Sequence, residues 1–214
     1  MAFDTLQTAD YSPLVVHFTK GPQKRMVLQE QISRTNPLFV YRQTSARDRL
    51  INILKMRVIY ASPMPFLPTE QRAVCFTECI WEGLTSLADS YSPYGIVFSK
   101  RLIFDAGGGP ALYLRGDLLQ AFGGDIPEQL HAFIAPFDPD GKNVKSGVRL
   151  DWLHEREWRL GEALKFDYAD ITHVLVESNR DSAEIVHEIG AQNLPDSKVI
   201  PIEVYRNIRK AWSD

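Results

Sequence analysis

The sequence predicts an α+β fold: a mostly antiparallel β-sheet with flanking helices. Strand-like runs of four to six residues, such as Leu14–Thr19, alternate with short helical stretches along the whole chain. The regular strand–helix–strand rhythm of a doubly wound parallel sheet is missing. With 214 residues and 44% hydrophobic content, one domain can bury a sizeable core without a disulfide or a metal to hold it.

Each element follows from local chemistry. Residues 1–12 are polar and predict a loosely held tail. Leu14-Val15-Val16-His17-Phe18-Thr19 reads as a strand, stopped by Gly21-Pro22. A short helix is expected around Met26–Ile32 and a strand at Leu38–Tyr41. Leu50, Ile53 and Leu54 recur at helical spacing, which predicts a helix over Ala46–Met56 capped by Thr44 or Ser45. Val58-Ile59-Tyr60 follows as a strand. The three prolines of Ser62–Pro68 predict a loop.

Val74–Thr77 and Tyr94–Phe98 predict strands on either side of a helix at Ile80–Asp89. Gly107-Gly108-Gly109 then reads as a turn between two strands, Leu102–Phe104 and Ala111–Leu114. Helices are expected at Leu118–Phe122 and Glu128–Phe133, and a polar turn region at Asp138–Gly147. The run Asp151-Trp152-Leu153-His154-Glu155-Arg156-Glu157-Trp158-Arg159-Leu160 reads as a strand, with Glu155, Glu157 and Arg159 on one face and Trp158 and Leu160 on the other. A strand at Ile171–Val176, a helix at Ser182–Ile189 and a last strand at Val199–Val204 complete the chain.

Net charge is −3, which gives no general attraction to nucleic acid or anionic membrane. The charge is uneven. Residues 1–60 carry nine Lys/Arg against four Asp/Glu, and the remainder 15 against 23. The basic part suits a phosphate-bearing partner, or simply a solvated helix and loop. Cys75 and Cys79 lack CxxC spacing and a nearby His cluster, which argues against zinc. No apolar run reaches the ~20 residues that span a bilayer, and no signal peptide is evident, so a cytoplasmic location is expected.

Several motifs fail on inspection. The triple glycine runs into Pro110 and lacks the GxGxxG spacing. His187-Glu188 starts like HExxH, but position 191 is Ala191. Asp138-Pro139-Asp140 with Glu155 resembles a metal-nuclease core, in which Glu157 stands where a Lys is needed. No GxSxG elbow is present.

One combination remains. His17-Phe18-Thr19 lies on the first strand, Tyr94-Gly95-Ile96-Val97-Phe98 on a central one, and Glu155-Arg156-Glu157 on a late one. Singly, each has a plain reading: a structural histidine, a core tyrosine, a solvated pair of glutamates. In this order they resemble the His–Tyr–Glu pattern of the ADP-ribosyltransferase superfamily. More narrowly, the chain is similar to bacterial abortive-infection proteins of the AbiGi type, and more distantly to DarT toxins. The similarity runs through His17-Phe18-Thr19, Ile53-Leu54 to Ile59, Cys75-Phe76-Thr77-Glu78, Tyr94–Phe98 and Glu155-Arg156-Glu157-Trp158-Arg159. It covers roughly residues 14–160, with 20–44 as an insertion.

The resemblance implies a split sheet with NAD as substrate in its cleft. ADP-ribose would pass to a macromolecule, nucleic acid or protein, in a toxin or phage-defence setting with an antitoxin or regulator as partner. Glu157 would stabilise the oxocarbenium-like charge that develops as nicotinamide leaves, and Glu155 would position or deprotonate the acceptor. His17 and Thr19 would hydrogen-bond the adenosine ribose or the nicotinamide amide, and Tyr94 would stack on the nicotinamide ring. Arg57, Arg101 and Arg159 are candidates for the pyrophosphate. Three other readings stay open: an NAD glycohydrolase, a catalytically silent binding module, and a metal nuclease using Asp140 and Glu155.

Overall fold

The computed structural model describes residues 12–20, 44–64, 72–79, 81–122, 125–142, 149–151 and 153–213. The expected helix at Met26–Ile32, the strand at Leu38–Tyr41, most of the insertion and most of the N-terminal tail lie outside these residues.

The fold is mixed α and β, organised on an eight-stranded, mostly antiparallel sheet. Its main path runs through seven strands in the order β13-β12-β5-β1-β4-β10-β6. These are β1 (Leu14–Phe18), β4 (Arg72–Glu78), β5 (Gly95–Ser99), β6 (Gly109–Pro110), β10 (Glu157–Leu160), β12 (His173–Val176) and β13 (Val199–Pro201). β3 (Ser62–Pro63) joins the sheet by pairing with β4. Among the described residues only β12 and β13 pair parallel within it.

Helices cover both faces. On one, α1 (Ala46–Met56) and α6 (Asn179–Ile189) bury Leu50, Ile53, Leu54, Ile185, Val186 and Ile189 against Val15, Phe76, Ile96 and Phe98. On the other, α2 (Trp81–Ser90) and α7 (Ile202–Ser213) bring Leu84, Leu87 and Ile202 onto Val16, Phe18, Val97 and Leu175. Alternation along each strand sorts these two sets of side chains. Ser45 caps α1 by accepting from the Asp48 N–H, and Ser178 caps α6 in the same way for Asp181.

Between β6 and β10 lies an arm with its own three-stranded sheet, β7 (Leu112–Arg115), β8 (Ile134–Lys142) and β9 (Arg149–Leu150). The short helices α4 (Gly116–Phe122) and α5 (Glu128–His131) connect β7 to β8. A further two-stranded pair joins β2 (Val58–Ile59) to β11 (Leu164–Lys165).

The sheet contains a fork. β1 and β5 pair over five residues, Leu14↔Ser99 to Phe18↔Gly95. β4 and β10 pair over four, Glu157↔Thr77 to Leu160↔Val74. Between them, β1 and β4 pair only at Val15↔Glu78 and Val16↔Thr77. Past that point β1 stays with β5 and β4 stays with β10. Gly95 permits the close approach on the β1 side, since a Cβ there would lie 2.9 Å from Val16 Cγ2 and 3.1 Å from the His17 carbonyl oxygen.

Five expectations need correction. Residues 151–160 are not one strand: Leu153–Glu155 is a 3-10 turn, Arg156 has φ +44°, and the strand starts at Glu157. Leu102–Phe104 belongs to a helix, α3 (Lys100–Asp105), which Ser99 caps through the Leu102 N–H. The glycines therefore link a helix to β6. Gly107 takes φ +90°, and a Cβ at Gly108 would stand 2.9 Å from the Arg159 carbonyl oxygen. Of the turn region expected at Asp138–Gly147, Asp138 to Lys142 continues β8 instead, with a register irregularity against β9, and 143–147 lie outside the described residues. Val199–Val204 is strand only to Pro201, where α7 begins. Ser62–Pro63 pairs with β4 rather than looping, and the rest of that proline-rich run is described only at Met64.

Candidate functional site

Glu157 and Arg159 alternate with Trp158, so both share the Thr77 and Cys75 side of the sheet. The geometry there is closed. Arg159 is 2% exposed and Glu157 9%. Arg159 Nη2 donates to Glu157 Oε2 at 2.7 Å, and Nη1 donates to the Ile134 carbonyl at 2.8 Å. A longer contact runs from Nη1 to the Ala132 carbonyl, at 3.5 Å. Burial works against the Arg159 charge, but its hydrogen bond to Glu157 and the Glu157 charge outweigh it and hold the guanidinium pKa above its ordinary value. Arg159 thus fastens the glutamate to the backbone of the arm.

Glu155 reaches the same region from the 3-10 turn. It is 6% exposed, and Oε1 accepts the Tyr91 hydroxyl. Burial pushes the Glu155 pKa above the ordinary carboxyl value; the Tyr91 hydrogen bond opposes this and the Glu157 charge adds to it. Tyr91 stacks on Phe18 with centroids 5.9 Å apart and planes at 6°. Lys20 Nζ lies 4.2 Å from the centroid of the Tyr91 ring. Tyr113 on β7 faces the same charges, and burial followed by the Glu157 charge raises its phenol pKa. The Cys75 thiol is pushed up by burial and by Glu157, so it is a poor nucleophile here.

His17 stands at the fork. By alternation it falls on the Phe76 side, opposite Glu157, and its ring meets Phe76 edge-on at 5.9 Å. Its Nδ1 spans the gap to the Cys75 carbonyl at 2.9 Å. A carbonyl only accepts, so Nδ1 carries the proton and Nε2 is left as an acceptor in the neutral ring. Burial lowers the imidazole pKa to about 4. Lys20 links the two sides electrostatically: its charge acts on His17, Glu155 and Glu157.

The other two expected residues are engaged elsewhere. The Thr19 hydroxyl donates to the Ala46 carbonyl at 2.8 Å and the Tyr94 carbonyl at 3.1 Å, tying β1 to the start of α1. Tyr94 lies in the core beneath α1 and α6, with its hydroxyl 3.5 Å from Glu177 Oε2. Burial raises its phenol pKa, and Asp181 and Glu177 add to the shift. The structure therefore brings Glu155 and Glu157 together, sets His17 at the adjoining fork, and turns Thr19 and Tyr94 toward the helices. Tyr91 donates its hydroxyl to a glutamate of the pair. Nothing in its local sequence separates it from Tyr94 or Tyr113.

The candidate pyrophosphate arginines are all occupied. Arg57 pairs with Asp167 at 2.7 Å, Arg101 with Asp105 at 2.8 Å, and Arg159 with Glu157. The basic N-terminal part is also partly spent. Arg47 bonds Asp181 and Glu184, and Lys55 bonds Glu188, all on α6. Glu78, from the Cys-Phe-Thr-Glu run, is buried as a tie, accepting the Ser12 N–H at 2.8 Å and facing Lys100 Nζ at 3.1 Å. Asp140 is exposed on β8, and among the described residues no three His, Cys, Asp or Glu side chains group to hold a metal ion. No helix among them is long and apolar enough to cross a membrane.

No protein-family model, no curated protein and no solved structure matches this chain.

Proposed function

We propose that this protein cleaves the nicotinamide–ribose bond of NAD and transfers ADP-ribose to a macromolecule. The observation that carries the proposal is the buried carboxylate pair. Glu157 is ion-paired with Arg159, while burial biases neighbouring Glu155 toward its neutral form. A carboxylate held in an ion pair, beside a carboxyl whose proton affinity burial raises, suits distinct charge-stabilising and acid–base roles. The fork supports the same reading, because β1 and β4 stop pairing beside that pair and His17, on the other face, spans the gap with Nε2 left as an acceptor. An ADP-ribosyltransferase-like split sheet with NAD in the cleft is the arrangement we infer.

As the glycosidic bond stretches, positive charge grows on the ribose and Glu157 lies against it. The bonding pair leaves with the nicotinamide ring nitrogen, which departs neutral. The acceptor forms the new bond to the anomeric carbon and gives its proton to Glu155. Thr19 and Tyr94 hold the strand and helix that frame the fork. The toxin or phage-defence setting, and a regulator as partner, follow from the motif resemblance.

A second reading, NAD hydrolysis, is favoured by one feature. Glu155 is 6% exposed, so water reaches it more readily than a bulky acceptor does. Incubation with NAD labelled in the adenylate phosphate decides among the readings. Label retained on protein or nucleic acid supports transfer, and free labelled ADP-ribose supports hydrolysis. Intact NAD after prolonged incubation leaves a catalytically silent domain.

A further inference from the structure

The Tyr91–Glu155 contact joins segments 64 residues apart and places a phenol on one oxygen of a buried carboxyl. The phenol has little freedom to leave. Its ring lies flat on Phe18, and Lys20 covers it at 4.2 Å. Phe18 is fixed in turn by its register with Gly95. We propose that Tyr91 is a positioning residue for the acceptor: its hydroxyl holds Glu155 Oε1 and leaves Oε2 as the atom that takes the acceptor proton. This rests on the glycosidic reading above, with water or a macromolecular nucleophile as acceptor.

The proton balance follows from the groups that face Glu155. Tyr91 donates to it from the end of α2, and Lys20 favours its charged form from the end of β1. His154 does the same from its own turn, and Glu157 on β10 opposes it. Tyr91 cannot take the proton itself, since burial and Glu155 raise its pKa far above neutrality. It therefore orients Glu155 and stabilises the carboxylate form that must exist before an acceptor can be deprotonated.

Tyr91→Phe keeps the stack on Phe18 and removes only the donor. Carboxyl NMR of ¹³C-labelled protein, with Glu155 assigned by its loss in Glu155→Gln, gives the Glu155 titration midpoint without any need for activity. The midpoint is expected to move upward in Tyr91→Phe. The acid limb of the NAD cleavage profile should move with it, and kcat should fall about tenfold with KM for NAD unchanged. An unmoved midpoint, or an unmoved acid limb in an active enzyme, overturns the proposal. If wild type shows no turnover, the glycosidic reading fails while the midpoint still decides the Tyr91 contact. Should Tyr91→Phe not fold, difluorotyrosine at position 91 makes a stronger donor, and the midpoint should move down; no shift there counts equally against the proposal.

Discussion

Arg159→Met tests the buried pair most sharply through stability. The substitution keeps an unbranched apolar stem and deletes the guanidinium. The loss comprises the 2.7 Å charge-assisted bond to Glu157 and the 2.8 Å bond to the Ile134 carbonyl. Glu157, 9% exposed, is left without its cation. Breaking a buried pair from one side typically costs about 3–5 kcal/mol. For a chain of this size that corresponds to a fall in Tm of roughly 6–20 °C. Glu157→Gln should cost less, about 1–3 kcal/mol, because its amide oxygen still accepts from Arg159 Nη2 and the guanidinium keeps its carbonyl partner. The double variant Arg159→Met/Glu157→Leu should be more stable than Arg159→Met alone, since no uncompensated charge remains. Equilibrium urea unfolding at pH 7 measures all three, together with Glu157→Leu, the other single of the cycle. A cost under about 1 kcal/mol for Arg159→Met, or a double variant whose cost equals the sum of its singles, would refute the coupling argued from the structure.

Three further outcomes follow from burial and close packing. His17 takes up its second proton only at about pH 4 in the fold, against 6.5 in the unfolded chain. The unfolded state binds more protons in that window, so stability falls as pH drops through it, by about 3 kcal/mol once below it. Urea unfolding from pH 7 to pH 4 should show a shallower decline in His17→Gln, and parallel curves would contradict the assignment. Glu155 has a raised pKa, so the unfolded chain ionises first as pH rises above 4.5. Glu155→Gln should therefore be more stable than wild type at pH 7, with the gap closing below pH 4.5; a less stable variant at pH 7 would count against it. At Gly108 a Cβ would sit 2.6 Å from Ile103 Cγ2, whereas at Gly109 the nearest atom is 3.7 Å away. Gly108→Ala should cost about 1–3 kcal/mol in thermal or urea unfolding and Gly109→Ala much less, and equal costs would contradict the packing argument.

Much of the fold is legible wherever one face is buried. Apolar spacing marked Ala46–Met56, with Thr44 or Ser45 as its cap, of which Ser45 takes the role, and the strands around Val15, Phe76 and Phe98 appear where alternation or β-branched runs place them. Legibility failed where local propensity and tertiary pairing disagreed. Leu102-Ile103-Phe104 looks extended, yet the Ser99 cap turns it into a helix. Asp138-Pro139-Asp140-Gly141 looks like a turn, yet it continues β8 beside β9. Val199–Val204 is β-branched, but Pro201 ends the strand and the spacing beyond it is helical. The site was only half legible for a related reason. Glu157 and Arg159 share a face by simple alternation. Glu155 joins them through a 3-10 turn and a positive φ at Arg156, which period-two reasoning does not anticipate. Tyr91 is chosen by a contact across 64 residues, and no local pattern encodes it.

The proposed chemistry turns on the Glu157 carboxylate acting on the ribose of NAD. Nicotinamide release by wild type and Glu157→Gln, each first shown by urea unfolding to be folded, tests it directly. Wild type should release nicotinamide steadily and the variant should lose about 10²–10³-fold, as when one preplaced charge stabiliser is removed. Equal release by the two proteins would contradict it.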